Sequence, residues 1–337
     1  MNIELITSAG LKPKETGFGL KLACHDVLDS LKRLGHSVKL TVCCSLHDLH
    51  AVVERNPDFV ILAAKYMSND KGDDIWFSEY FEANEIAYSG SSRETLRYDS
   101  DKVLAKVRLA SLGVRTAKYF TAVPGQYTFE EDLPFSFPFF VKPTDAANGN
   151  GVDDQSFVEN FAEYEAKVYS LYSIYKQPAL VEEYLCGKEF TVAVIKSNGG
   201  VMTVSAIEIV PPLSSGTLRI LGATVKKLDS ETLKKIEYED IHSVKELAVK
   251  SFQGLGARGF GRIDVKMDNS GHCYFLEANL VPGMNNGTSY FPRACEIDNE
   301  MSYDKVIQMI FSECFERAIV KKEFNEQVPV MPLALLN

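Results

Sequence analysis

Four polar residues near the end of the chain are of the types that bind a hard divalent cation beside a phosphate group. They are Arg262, Asp264, Glu277 and Asn279. Apolar and polar residues alternate along residues 262–267 and 273–279, which predicts two half-buried strands, and residues 268–271 supply a turn between them. When the chain folds back at this turn, Asp264 lies within one or two cross-strand residue pairs of Glu277. We therefore expect the four polar side chains on one face of a hairpin whose other face packs on a core.

The second strand and the loop after it complete this pattern. Strict alternation assigns Cys273 and Phe275 to the polar face, and Tyr274, Leu276 and Ala278 to the apolar face. Residues 282–289 then form a long loop, where backbone N–H groups and hydroxyls can meet a substrate carboxylate.

Three oxygen ligands at this spacing suit Mg²⁺, which proteins hold with one or two carboxylates plus substrate phosphates. Zinc would need Cys or His ligands, and the spacing of His272 and Cys273 does not fit a zinc site. An arginine beside the oxygen ligands is what phosphoryl transfer requires, because the transferring oxygens must be neutralised while a metal bridges the phosphates. The alternative is a solvated polar face on a half-buried hairpin, which is the commoner meaning of such alternation.

Two lysines lie at positions that call for an anionic partner. Lys142 ends an aromatic-rich strand and precedes Pro143, and its charge is hard to bury unless an anion meets it. Residues 99–101 supply a break and an N-cap before a predicted helix, and Lys102 lies in its first turn, where the helix dipole disfavours a cation without a partner. For each of them, an exposed lysine with its stem on the surface is the alternative.

Composition bounds the class of protein and its partners. A length of 337 residues predicts two or three domains, and 45% apolar with 24% charged residues is ordinary for a globular protein. A net charge of -10 without a Lys/Arg cluster argues against a nucleic-acid partner. No stretch approaches ~18 consecutive apolar residues, so no membrane segment is expected. The seven scattered cysteines, without a CxxC pair, indicate reduced thiols in a cytoplasmic protein.

The elements that must position these residues fall into three units, for which we predict the bounds 1–99, 100–185 and 186–337. The first unit has strands at 2–7, 37–43 and 58–64 and helices at 19–34 and 46–55, a β-α-β-α-β order typical of a doubly wound parallel sheet. Glu15 lies in the loop after the first strand, where ligands meet the carboxyl ends of such sheets. It is a candidate substrate contact, and an exposed loop glutamate is the alternative.

The second and third units are mixed. Strands at 117–122, 137–141 and 179–183, with a helix at 157–172, make the second, and a glycine-rich loop at 148–151 can bring backbone N–H groups close to phosphates. In the third unit, a strand pair precedes a helix at 240–253 that leads into the polar hairpin. The GxGxxG pattern at 254–259 follows a helix and precedes a strand, the reverse of the dinucleotide-binding context, so it is discarded.

Beyond these patterns, the chain resembles the ATP-grasp superfamily and, within it, the D-alanine–D-alanine ligases. The resemblance covers about residues 88–304, and its motifs lie at 181–193, 261–265, 276–284 and 289–292. It implies an α/β protein, α+β in part, in which a doubly wound parallel-sheet domain precedes two α+β domains that clamp the nucleotide. It also implies ATP with Mg²⁺ or Mn²⁺ and small amino-acid substrates, with a homodimer left open.

The resemblance further implies a ligase reaction. One substrate carboxylate attacks the ATP γ-phosphate to give an acyl phosphate, and the amine of a second substrate then attacks its carbonyl. The products are a dipeptide or dipeptide-like amide, ADP and phosphate. By match to the family's motifs, Asp264, Glu277 and Asn279 bind magnesium, and Arg262 stabilises the oxyanion and the transferring phosphate. The backbone N–H of Gly283 would stabilise the tetrahedral intermediate, and Glu15 would take an amino group.

The same match to the family's motifs implies which residues contact the nucleotide and the second substrate. Lys102 and Lys142 would contact the ATP phosphates. The adenine segment would be Glu182, Glu183, Tyr184 and Leu185, with Glu189 at the ribose. Asn279, Ser289 and Tyr290 would face the second substrate, the last two at its carboxylate.

Departures from the family lie on the substrate side. The loop that contains Glu15 lacks the family's Gly-Gly-x-Ser-x-Glu signature, and the phosphate-loop Ser-Ser is replaced near residues 148–150. The family's Lys-Tyr lid pair has no clear match in 211–227, unless Lys226 or Lys227 serves. By resemblance D-alanine remains the leading substrate, and these departures leave another amino-acid ligase of specialised metabolism as the alternative. A non-catalytic ATP-binding regulator is disfavoured, because it would not need Arg262.

Overall fold

The computed structural model describes residues 1–9, 17–18, 21–68, 73–146, 149–197, 199–214 and 218–327. The first unit is built around a parallel sheet in the order β2-β1-β3. Its elements are β1 (Asn2–Ser8), α1 (Lys21–Arg33), β2 (Ser37–Cys43), α2 (Leu46–Glu54), β3 (Phe59–Leu62), β4 (Tyr66–Ser68), β5 (Asp74–Trp76), α3 (Phe77–Ala83) and α4 (Arg93–Ser100). Every residue of β3 is buried, because core clusters cover both faces of this sheet. The doubly wound opening is confirmed; the hairpin of β4 and β5 was not predicted.

The second unit is a four-stranded antiparallel sheet with one long helix against it. Its elements are α5 (Lys102–Ala110), β6 (Tyr119–Ala122), β7 (Phe139–Pro143), β8 (Phe157–Val158), α6 (Phe161–Tyr175) and β9 (Ala179–Glu183). The strand order is β6-β9-β7-β8. Phe120, Phe139 and Tyr164 form the centre of its core. At the start of α5, the Asp101 side chain accepts a hydrogen bond from the Leu104 N–H at 2.9 Å, which confirms the predicted cap before Lys102.

The third unit is a five-stranded antiparallel sheet in the order β12-β11-β10-β13-β14. Its elements are β10 (Glu189–Lys196), β11 (Met202–Val210), α7 (Ala223–Leu228), β12 (Thr232–Lys235), α8 (Tyr238–Gly254), β13 (Phe260–Met267), β14 (Cys273–Asn279), α9 (Tyr290–Asn299) and α10 (Tyr303–Gln327). Helix α10 returns to the first unit, where the Phe315 ring lies 5.1 Å from that of Phe59. One core cluster therefore contains residues of both units, and the predicted bounds at 99 and 185 stay a prediction. Among the described residues, no helix combines the length and apolarity needed to cross a bilayer.

The expected phase of β14 is wrong over its first half. Asp264 pairs with Glu277, but Val265 pairs with Phe275, so Leu276 is an extra residue opposite the partner strand. Such a bulge shifts the alternation by one position. Cys273 and Phe275 consequently join Ala278 in the core, and Leu276 faces the same cavity as Glu277.

A buried carboxylate ties the loop after β14 to the first unit. Asp99 accepts hydrogen bonds from the backbone N–H groups of Leu280 at 2.6 Å and Val281 at 3.3 Å. Its other oxygen pairs with the Lys65 ammonium at 2.8 Å, and these side chains are only 11% and 4% exposed. The loop that approaches the polar hairpin is thus held by two amides and one ion pair.

Replacing Asp99 with alanine is expected to destabilise the fold by about 3 kcal/mol, because two backbone amides lose their acceptor and a buried ammonium loses one of its partners. Urea unfolding followed by circular dichroism measures this change. The exposed pair of Arg93 and Glu79, 2.6 Å apart, is the matched control, and Glu79→Ala should cost less than about 1 kcal/mol. Equal losses in the two variants would contradict the role given to Asp99.

Candidate active site

The four polar residues of the hairpin meet on one face, as predicted. Arg262 pairs with Asn279 and Asp264 with Glu277 in the register of β13 and β14. The guanidinium of Arg262 makes two parallel hydrogen bonds to Asp264, each 3.0 Å long. The Asn279 amide donates to Asp264 at 3.3 Å, and from β10 the Thr191 hydroxyl donates at 2.7 Å. Asp264 is therefore fixed by three side chains before any ligand binds.

Burial and neighbouring charges act differently on the two carboxylates. Burial raises the pKa of Asp264, the Arg262 guanidinium opposes that shift, and the Glu277 carboxylate reinforces it. Burial also raises the pKa of Glu277, but nearby ammonium groups outweigh it and hold this pKa below its usual range. Those ammonium groups belong chiefly to Lys102, Lys226 and Lys142. A buried carboxylate and a partly exposed one, beside an amide oxygen, are a donor set that fits a hard cation such as Mg²⁺.

Both predicted phosphate lysines lie beside this donor set. Lys102 donates to the carbonyl oxygen of Ala146 at 2.9 Å, and its ammonium is 3.5 Å from a Glu277 oxygen. Lys142 is 2.6 Å from a carboxylate oxygen of Glu182. The two lysines line one cavity together with Asp264 and Glu277. A phosphate chain there would meet both the lysine ammonium groups and the carboxylates of the candidate metal-binding set.

The glycine-rich loop closes against helix α7 at this cavity. Gly149 has φ +74°, and a Cβ there would lie 3.1 Å from the backbone nitrogen of Ala223. A larger residue would therefore be strained and would push α7 away. From α7, Lys226 faces the same cavity, as one of the two lid alternatives.

The predicted adenine segment lines an adjoining pocket. Its lining includes Glu182, Glu183, Tyr184 and Leu185, with Glu189 and Phe140. Glu189 pairs with Lys266 at 3.0 Å. Glu183 differs from the others, because its carboxylate accepts a hydrogen bond from the Lys118 backbone N–H at 2.8 Å and joins β6 to the segment. The pocket has apolar walls with a few polar groups, which suits a purine and its sugar.

A third cavity, of about 400 Å³, lies beyond Arg262 and is lined by Gly283, Ser289 and Tyr290. The Ser289 hydroxyl accepts a hydrogen bond from the Asn285 N–H at 2.9 Å. A Cβ at Gly283 would lie 2.9 Å from that hydroxyl oxygen, so a larger residue would displace the Ser289 hydroxyl. The Arg262 guanidinium lies 5.5 Å from the centre of the Tyr290 ring.

The cavities follow one another. Phe140, Glu189 and Leu276 line both the apolar pocket and the lysine-lined cavity, and Lys226 lines both that cavity and the one beyond Arg262. A nucleotide along the first two would place its terminal phosphate near Arg262. A carboxylate in the third cavity could then receive that phosphate.

Sequence reasoning missed four residues at this site: Lys106, Thr191, Glu231 and Lys266. Lys266 alternates in phase with Arg262 and Asp264, and this signal could have found it. The other three depend on contacts between distant segments. Glu15 lies outside the described residues, so its predicted contact is not located.

This fold and site define the class of protein as ATP-grasp. A family model for the D-ala D-ala ligase C-terminus matches residues 109–312, more than half of the chain. The D-alanine--D-alanine ligase of Trichlorobacter lovleyi is 26% identical over 254 residues, 75% of this chain and 76% of its own. D-alanine--D-alanine ligase B of Clostridium perfringens is 26% identical over 265 residues, 78% of this chain and 82% of its own.

A solved structure agrees with the sequence relatives. The D-alanine--D-alanine ligase from Bacillus anthracis complexed with ATP superposes with a TM-score of 0.72 at 20% identity, over 95% of this chain and 99% of that chain. This likeness shows the fold. The chain belongs to the D-alanine–D-alanine ligase C-terminal family, and it is an ATP-dependent ligase of the ATP-grasp class. The relatives do not favour the regulatory alternative.

Proposed function

We propose that this ligase joins two amino acids, D-alanine to D-alanine, through an acyl phosphate. The observation that carries the proposal is the continuity of the cavities: Lys226 lines both the lysine-lined cavity and the one at Ser289, and Arg262 lines the second while bonded to Asp264 of the first. An acyl phosphate and a nearby amine are the groups that such an arrangement brings together. The relatives from Trichlorobacter lovleyi and Clostridium perfringens are D-alanine--D-alanine ligases, which supports this substrate.

In this proposal the residues divide the work by position. Asp264, Glu277 and Asn279 hold Mg²⁺, or Mn²⁺, which supplies charge neutralisation between phosphate oxygens when bound. Lys102 and Lys142 bind and orient the phosphates. Arg262 and the Gly283 N–H face the carbonyl at which negative charge develops. Ser289 and Tyr290, at the N-terminus of α9, take the carboxylate of the second amino acid.

The remaining nucleotide and substrate contacts follow the cavities. Glu182 to Leu185 contact adenine, and Glu189 contacts the ribose. Glu15 is the proposed contact for the amino group of the first substrate. The cytoplasm is the proposed location, because ATP is supplied there and all seven cysteines are free. A homodimer is the assembly to test by light scattering.

The function is tested by ADP release with Mg-ATP across single and paired D- and L-amino acids, with products identified by mass. D-Alanine alone should drive turnover and yield its dimer. If D-alanine does not stimulate ADP release and another amino acid or pair does, the protein is the alternative amino-acid ligase with a different substrate. ADP release that no amino acid stimulates would contradict a ligase acting on amino acids.

Glu231 is a further candidate contact for the substrate, and the sequence did not single it out. One of its oxygens accepts the hydrogen bond of the Tyr290 hydroxyl. The other is buried and has no hydrogen-bond partner among the described residues, and Glu231 lines the cavity that also holds Ser289. A buried carboxylate oxygen without a donor is costly, so a ligand donor is expected to meet it. The ammonium group of the second amino acid supplies such a donor.

Glu231→Gln should raise the KM for the amino acid about tenfold or more, because a charge-assisted hydrogen bond to the ammonium is lost. The KM for ATP should stay within about twofold. Steady-state kinetics at fixed Mg-ATP measure both constants. Tyr290→Phe is the matched comparison, since it removes the hydroxyl contact and keeps the charge of Glu231. If Tyr290→Phe raises the amino-acid KM as much as Glu231→Gln does, the role of Glu231 is only to hold the tyrosine.

A further inference from the structure

A single carboxylate is shared by two lysines behind the nucleotide pocket. One oxygen of Glu182 lies 2.5 Å from the Lys106 ammonium, and the other lies 2.6 Å from that of Lys142. The three side chains are 3%, 0% and 7% exposed, respectively. Three buried charges of this kind persist only when each is compensated by the others.

The two lysines differ in what else they can reach. Lys142 lines the cavity that also contains Asp264 and Glu277, where phosphates are expected. Lys106 is fully buried on α5 and lines neither this cavity nor the adjoining apolar pocket. Its ammonium lies 5.8 Å from the centre of the Tyr119 ring, and among the described residues Glu182 is the carboxylate that forms an ion pair with it. Lys106 therefore cannot contact a nucleotide, but it can act on one through Glu182.

Charge balance explains why two cations serve one carboxylate. When Lys142 turns toward a phosphate, its pairing with Glu182 weakens. With Lys106 in place, Glu182 remains compensated, so this turn leaves no unpaired buried charge. Without Lys106, Lys142 would be the remaining cation close to Glu182, and the carboxylate would hold it away from the phosphates.

We propose that Lys106 is a positioning residue for nucleotide binding: by staying paired with Glu182, it releases Lys142 to the ATP phosphates. The inference rests on the proposed nucleotide site and not on the identity of the amino acids. Equilibrium binding of Mg-ATP tests it directly, so a failed search for amino-acid substrates leaves this test intact.

The test compares Lys106→Met, Glu182→Gln and the double variant by titration calorimetry with Mg-ATP. Methionine keeps much of the apolar stem and removes the charge. Lys106→Met should raise the Kd of Mg-ATP about tenfold or more, because Lys142 is then bound to an otherwise unpaired carboxylate. Glu182→Gln removes that carboxylate, so in its background Lys106→Met should change the Kd by less than about threefold.

The double variant separates this role from packing. If Lys106 acted only by filling space, its loss would weaken binding equally in both backgrounds, and that result would overturn the proposal. An unchanged Kd in Lys106→Met would also overturn it. If Lys106→Met does not fold, the double variant measured against Glu182→Gln still decides between the two roles. Lys245→Met, which breaks a 2.7 Å pair with Asp298 away from the nucleotide site, should leave the Kd unchanged.

Discussion

Replacing Arg262 with alanine is expected to lower kcat about 10²–10³-fold while changing the Kd of Mg-ATP by no more than a few fold, as loss of one oxyanion donor does. The guanidinium lines the proposed substrate cavity and is hydrogen-bonded to Asp264, which lines the lysine-lined cavity, and Arg262 is only 9% exposed. In the proposed reaction, the charge of Arg262 acts on the group in transfer and not on the adenine or the sugar. Single-turnover kinetics and calorimetry measure the two quantities separately.

The same substitution frees Asp264, which now receives two hydrogen bonds from Arg262. Part of any loss in kcat could therefore come from a displaced metal ligand. Arg262→Lys distinguishes the causes, because it keeps a cation but cannot form the two parallel bonds. If Arg262→Ala has a kcat close to that of the wild type, Arg262 does not take part in the reaction. Arg93→Ala, at an exposed ion pair, is the control and should keep kcat within about twofold.

The sequence predicted most of the fold because its patterns are local. Alternation identified β13 and β14, and the Asp101 cap located the start of α5. The bulge at Leu276 was not predictable from alternation, since an inserted residue changes the phase without changing the residue types. The face of Glu277 and Asn279 was nevertheless correct, because both follow the bulge.

The residues of the site divide in the same way. Arg262 and Asp264 were found because they share a strand and a phase, and Glu277 was found across one turn. Lys106 reads as an ordinary helix lysine, and only the approach of β9, 76 positions later, reveals its contact with Glu182. Glu231 likewise acquires meaning only where the segment after α7 reaches Tyr290. Such pairings depend on the packing of whole units and leave no periodic signal in the chain.

Glu277→Gln is expected to raise the Mg²⁺ concentration needed for half-maximal activity at least ~10-fold, because the donor set loses a charged ligand. Mn²⁺ should show a shift in the same direction. Titration of activity with each metal at fixed ATP measures the change. Glu246→Gln, at an exposed pair with Lys250, is the control and should leave both titrations unchanged.

The effect on ATP without metal should have the opposite sign, and this makes the prediction decisive. Glu277 lies 3.5 Å from Lys102, and the ammonium groups of Lys102, Lys226 and Lys142 hold its pKa below the usual range. Removing its charge leaves these cations less compensated, so metal-free ATP should bind equally well or more tightly. General damage to the site would weaken the binding of Mg²⁺ and the binding of ATP together. A weaker Mg²⁺ response with preserved ATP binding therefore assigns Glu277 to the metal, and an unchanged Mg²⁺ titration would show that the ligand set is wrong.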